Sequence, residues 1–118
     1  MKERSQLLKG TLEGCILQVI KGDETYGYAI AEQLRRVGFS SIAEGTVYPL
    51  LLRLEKNGLL AATHRDSPLG PKRKYYTLTR QGHDALDEFI ANWREVETCV
   101  RRLFEEDSDD IRPTAAIE

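Results

Sequence analysis

The stretch EGTVYPLLLRLEKNGLL, residues 44–60, decides the fold. Val47, Leu50, Leu51 and Leu54 recur at i, i+3, i+4 and i+7, the buried stripe of a helix running from about Gly45 to Asn57. A proline is tolerated only in a first turn, where its missing N–H has no intrahelical partner, so Pro49 places the start near Gly45. Asn57-Gly58 stops the helix. The opposite face carries Tyr48, Pro49, Leu52, Arg53 and Lys56. Two cations and a phenol suit phosphate contacts and guanine edges in a major groove. Leu52 and Pro49 are unusual there: either touches a thymine methyl, or Leu52 is core on a helix covered from two sides.

Working outward, Leu8, Leu12, Ile16, Val19 and Ile20 predict a first helix over about Ser5–Lys21, stopped at Gly22-Asp23. Tyr26, Ile30, Leu34 and Val37 form the stripe of a second helix over about Gly27–Val37, ended by Gly38. Downstream, Leu59–Arg65 and Arg73–Leu78 read as short strands joined by the turn-rich Asp66–Pro71. Tyr75 and Tyr76 place one ring on each side of their strand, with nothing to say which is buried. Thr79 is the expected N-cap of a long last helix, about Arg80 to Glu106. At 1.5 Å per residue that helix extends roughly 40 Å, against a radius of gyration of about 13 Å for a globule of this size, so it is expected to project. The acidic tail from Asp107, with Pro113, is expected to be disordered. Three helices, a hairpin and a long helix make a mainly α chain of winged helix-turn-helix type. The expected domains are residues 1–79, a C-terminal dimerisation helix 80–106, and the tail 107–118.

The formal net charge of −2 hides an uneven distribution: residues 44–80 carry seven Lys or Arg against three Asp or Glu, and residues 81–118 four against eleven. Binding to nucleic acid needs a basic face, not a basic total. Lys72-Arg73-Lys74 supplies three cations at the end of the hairpin, where a phosphate backbone is clamped, although a basic strand edge also discourages aggregation. The candidate contacts to double-stranded DNA are therefore Thr46, Tyr48, Pro49, Arg53, Lys56, Lys72, Arg73 and Lys74. The competing reading is a winged-helix module that binds protein. Enzyme chemistry is not expected: His64 and His83 stand without a nucleophile or carboxylate pair at instructive spacing, and His83 with Asp84 and Asp87 is favourable charge at a helix N-terminus. Cys15 and Cys99 form no CxxC pattern and read as small buried hydrophobes, and with two histidines no zinc cluster, metal or other cofactor is expected. Apolar runs are too short to span a bilayer, and the Met-Lys-Glu-Arg start lacks an apolar signal segment, so the expected location is cytoplasmic.

The last helix needs a partner. Leu86, Phe89, Trp93, Val96, Val100 and Leu103 are spaced 3, 4, 3, 4, 3, a heptad-like stripe. Gly10 and Gly14 of the first helix leave room for close approach, and the same helix of a second copy is the other candidate. Both together give a two-fold homodimer, which suits a pseudo-palindromic operator. Trp93 is read either as a dimer-core anchor or, with Phe89, Gly10 and Gly14, as the wall of a pocket for a planar aromatic effector.

Residues 44–60 strongly resemble the recognition-helix signature of the PadR family of bacterial regulators. GPKRKYYTLTRQG, residues 70–82, resembles its wing, and Tyr26-Gly27-Tyr28 the start of its second helix. The resemblance covers about residues 7–104. It implies a homodimer that mostly represses transcription, often of a neighbouring detoxification, transporter or phenolic-acid gene. It also implies that Tyr48, Lys72 and Arg73 match positions used against DNA, and that Trp93 matches the aromatic at which multidrug-responsive members sandwich planar ligands. The short C-terminal region resembles the smaller subfamily and departs from the larger phenolic-acid members, which puts a phenolic-acid effector in doubt.

Overall fold

The structure, a computed structural model, describes residues 6–67 and 70–109. The expected helix start at Ser5, the loop residues Pro68 and Leu69, and the tail from residue 110 lie outside the described residues. The elements are α1 (Leu12–Gly22), β1 (Thr25–Tyr26), α2 (Gly27–Arg36), α3 (Glu44–Lys56), β2 (Leu60–Ser67), β3 (Gly70–Leu78) and α4 (Arg80–Asp109). The chain divides into two units between Asp87 and Glu88, inside α4. The first unit is a winged helix-turn-helix: α1–α3 and an antiparallel sheet of order β1-β3-β2.

Its core is aliphatic. Leu12, Ile16, Leu17 and Ile20 of α1 are buried with Ile30, Ala31 and Leu34 of α2, Val47, Leu51 and Leu54 of α3, Ile42 and Leu60. Tyr76 is the buried tyrosine of the pair on β3, and Tyr75 is half-buried on the other face. Leu52 is 57% exposed, which leaves it on the solvent face of α3 rather than in the core.

Two glycines end the helices of the motif in the same way. Gly38 and Gly58 have φ of +125° and +82°. After α2, the Phe39 amide donates to the Leu34 carbonyl at 3.0 Å and the Gly38 amide to Arg35 at 3.1 Å. After α3, Leu59 donates to Leu54 at 2.9 Å and Gly58 to Glu55 at 3.0 Å. Both are Schellman closures, which need a left-handed residue that a side chain disfavours. The second reverses the chain from α3 into the wing.

The structure corrects several sequence expectations. The first helix is not continuous: residues 6–8 are helical, 9–11 form a turn, and α1 begins at Leu12. Gly10 weakens a helix by about 1 kcal/mol relative to alanine, and the Thr11 hydroxyl donates to the Leu8 carbonyl at 3.3 Å. Strand β1 was not foreseen, because two residues carry no periodicity. It pairs Thr25 with Tyr76 and Tyr26 with Tyr75, so Tyr26 belongs to the sheet and not to the α2 stripe. Val37 caps α2 and is exposed. Pro49 is the sixth residue of α3, past the first turn. Its missing N–H leaves the Gly45 carbonyl without an i+4 donor, tolerable because both residues face solvent.

Thr79 caps α4 as expected: the Gly82 amide donates to its hydroxyl oxygen at 2.9 Å. The same hydroxyl donates to the Gly58 carbonyl at 2.7 Å, and the Thr79 amide to Leu59 at 3.1 Å. Leu86 is buried within the chain itself, so it has no apolar surface left for the interface expected of it. In the second unit, α4 runs to Asp109, three residues into the stretch expected as tail. Cys99 is exposed there rather than buried, while Cys15 is half-buried, which pushes its thiol pKa up.

Gly82 approaches the Leu59 carbonyl so closely that an added Cβ would overlap its oxygen and lie 3.1 Å from its carbon. Gly82→Ala is therefore expected to destabilise the fold by about 1–3 kcal/mol, although alanine is the better helix former. Urea unfolding monitored by circular dichroism measures this, and a stabilised variant would contradict the packing.

Candidate nucleic-acid interface

A groove of about 610 Å³ opens between α3 and the wing, lined by Tyr48 and Leu52 of α3, Tyr26 of β1, Gly27 and Tyr28 at the start of α2, and Lys72, Arg73, Lys74 and Tyr76 of β3. Four of the eight expected contact residues, Tyr48, Lys72, Arg73 and Lys74, thus line one opening. Pro49 and Lys56 are exposed on α3 outside it. Thr46 and Arg53 instead line a second cavity of about 430 Å³ beside α1, with Leu12, Glu13, Ile42 and Leu50.

Tyr48 is set by a glycine. A Cβ on Gly27 would stand 2.8 Å from Tyr48 Cζ, with the ring edge closer still, so the phenol packs directly on the first residue of α2. Its hydroxyl donates to Glu44 Oε1 at 3.4 Å, one turn back. Burial first, then the Glu44 carboxylate, raise the phenol above its ordinary pKa. The ring is held neutral and aimed by a helix start and a side chain of its own helix.

Most of the cations already have partners. Arg53 donates from Nε to Glu13 Oε2 at 2.7 Å and from Nη2 to the same oxygen, a pair that ties α1 to α3. Lys74 Nζ lies 2.8 Å from Glu55 Oε1, and that hydrogen bond leads the causes that raise its pKa. Lys74 and Arg53 are therefore charged but internally compensated. Arg73 stands over the Tyr26 ring, its Cζ 4.2 Å from the centroid. Among the described residues no ion pair to Lys56, Lys72 or Arg73 is found.

Sequence reasoning missed Tyr26, Tyr28, Glu13 and Glu55 as parts of this surface. For Tyr26 the only signal was its place in the Tyr26-Gly27-Tyr28 motif; pairing across 40 residues, as for Glu13 and Arg53, leaves no local trace. Of the proposed ligand-pocket residues, Gly10 is exposed in its turn and Gly14 is buried in α1. In the second unit Phe89 is half-buried and Trp93 is 47% exposed. Among the described residues no group of three or more His, Cys, Asp or Glu is placed to hold a metal, and no helix is long and apolar enough to cross a membrane.

Residues 16–88 match the model of the Transcriptional regulator PadR-like family. A PadR-like transcriptional regulator from Bacillus cereus is 48% identical, with a TM-score of 0.76 over 84% of this chain and 96% of that one. A transcriptional regulator from Mycobacterium tuberculosis is 37% identical over 75% of this chain and 78% of its own length. Bacillus subtilis PadR, whose structure is in complex with operator DNA, is 25% identical, with a TM-score of 0.63 over 70% of this chain and 48% of that chain.

Glu44→Gln removes the charge beside the Tyr48 phenol and leaves its burial. The pKa is expected to fall part of the way toward the ordinary phenol value, read from the ring carbon signals in an NMR titration. Because the folded pKa is raised, the stability that Tyr48 contributes is present below the ordinary phenol range and is lost as pH rises through the raised value. An unchanged titration would show that burial acts alone.

Proposed function

The chain belongs to the PadR-like family of transcriptional regulators, and from that premise we propose that it represses transcription by binding duplex DNA as a homodimer. In this reading α3 enters the major groove with Tyr48, Pro49 and Lys56 toward the bases and flanking phosphates. The wing lies along the backbone with Lys72 and Arg73. The observation that carries the reading is the groove that collects Tyr48, Lys72 and Arg73, two of them cations without an ion-pair partner among the described residues. The complex of Bacillus subtilis PadR with operator DNA supports it as a property of a relative. Arg53 joins such a contact by sharing or leaving Glu13, and Lys74 acts chiefly as the brace between wing and α3.

The dimer rests on the second unit. Trp93, Val96, Val100 and Leu103 are all exposed at 3- and 4-residue spacing, Leu103 by 65%. Such a stripe on one helix is the seam of a coiled-coil-like contact. A second copy buries it and sets two α3 helices for two half-sites. Trp93, the first residue of this seam, is the proposed wall for a planar aromatic effector, whose binding releases DNA.

Three tests follow from this reading. Six unpaired wing and α3 cations per dimer predict a slope of log affinity against log salt of about −5, and Lys72→Ala reduces it by about two. Filter binding or fluorescence anisotropy with the chain's own promoter fragment reads both, and a salt-independent affinity would remove the proposal. Val100→Asp with Leu103→Asp places charge in the seam and is expected to give monomers in sedimentation velocity with weakened DNA binding. Planar aromatic compounds are expected to quench Trp93 fluorescence and lower DNA affinity together; quenching without loss of DNA binding would separate the pocket from regulation.

A further inference from the structure

The solvent face of the wing carries a like-charge problem. Arg65 of β2 and Arg73 of β3 are directly opposite each other in the strand register. Two guanidinium groups in that position repel, and cross-strand like charges destabilise a sheet. The structure resolves the conflict differently at the two residues. Arg65 is neutralised by Glu24, Nη2 to Oε1 at 2.7 Å, and lies over the Tyr75 ring with Cζ 5.2 Å from the centroid. Arg73 has no such carboxylate among the described residues and is held over the Tyr26 ring instead. The two rings meet edge to face at 5.3 Å and 63°, because Tyr26 and Tyr75 are themselves partners across β1 and β3. The result is one continuous stack, Arg73, Tyr26, Tyr75, Arg65, ending on Glu24.

A ring face holds a guanidinium without consuming its charge or its N–H donors. A carboxylate, as at Arg65, neutralises the charge and takes a donor on its Nη2. We propose that Tyr26 is a positioning residue for the DNA contact: its ring fixes Arg73 at the mouth of the groove, charged and with its hydrogen-bonding edge free for a phosphate. The two-residue strand β1 then has a stated purpose, since it is what places that ring against β3. This proposal rests on the DNA-binding reading above.

The test replaces Tyr26 by phenylalanine and by phenylalanines carrying one, two and three ring fluorines. These keep the shape of the ring and drain the charge from its face, so the fold is preserved while the hold on Arg73 weakens. The affinity of the Tyr26→Phe protein for the chain's promoter fragment is the reference for the series. Affinity is expected to fall stepwise with fluorination, by about two- to fivefold over the series, with a shallower salt slope. In an Arg73→Met background the same series is expected to be flat. A flat series in the Arg73 protein, with Arg73→Met itself weaker, overturns the role of Tyr26. Arg73→Met binding as tightly as the unsubstituted protein overturns it as well, because there is then no contact to position. Absence of any DNA binding by the unsubstituted protein fails the underlying reading, and the positioning role with it.

Discussion

The corner at Gly58 and Leu59 is the constraint on which the rest of the structure depends. There α3 ends in a left-handed glycine, and β2 begins two residues later. β3 returns to the same point, where Thr79 donates from its amide to Leu59 and from its hydroxyl to Gly58. Gly82 closes against the Leu59 carbonyl from the first turn of α4. One corner thus fixes the end of α3, both ends of the hairpin and the start of the last helix. The angle between α3 and the wing is set mainly by backbone groups, which substitution of surface residues leaves in place.

Charge is laid over that frame selectively. The described core contains no buried charged side chain. Carboxylates take three of the cations around α3 and the sheet: Glu13 takes Arg53, Glu55 takes Lys74, and Glu24 takes Arg65. These pairs lie at the surface, half-buried to exposed, and each contributes little to stability, on the order of 0–1 kcal/mol. Their larger consequence is selection. Among the described residues they leave Lys72 and Arg73 as wing cations without a carboxylate partner, beside a tyrosine seated on Gly27. A chain with a net charge of −2 therefore presents a small basic opening in one place.

Much of this was legible in the residues. The α3 stripe, the two stop glycines, the Thr79 cap and the paired strands are local signals, because each depends on spacing within a few residues. The departures have physical causes. Gly10 broke the first helix because a glycine in a turn costs less than one in a helix. Leu86 went into the chain's own core although it fits the heptad spacing, since spacing records a face and not what covers it. Val37 fitted the α2 stripe yet is exposed, because the helix ends one residue earlier. Tyr48 and the Lys72-Arg73-Lys74 run, singled out along the chain, line one groove in the fold.

The sequence by itself determined the order of the helices and the hairpin, the helix stops, the Thr79 cap, the placement of positive charge and the family signature. All of these are carried by neighbours along the chain. Only the tertiary structure decided which of the described cations meet a carboxylate. Arg53, Lys56, Lys72, Arg73 and Lys74 look alike as letters, and they differ through Glu13, Glu55 and Tyr26, which reach them from other elements. A guanidinium paired with a carboxylate and one resting on an aromatic ring have the same charge and different availability, and that difference exists only once the chain has folded.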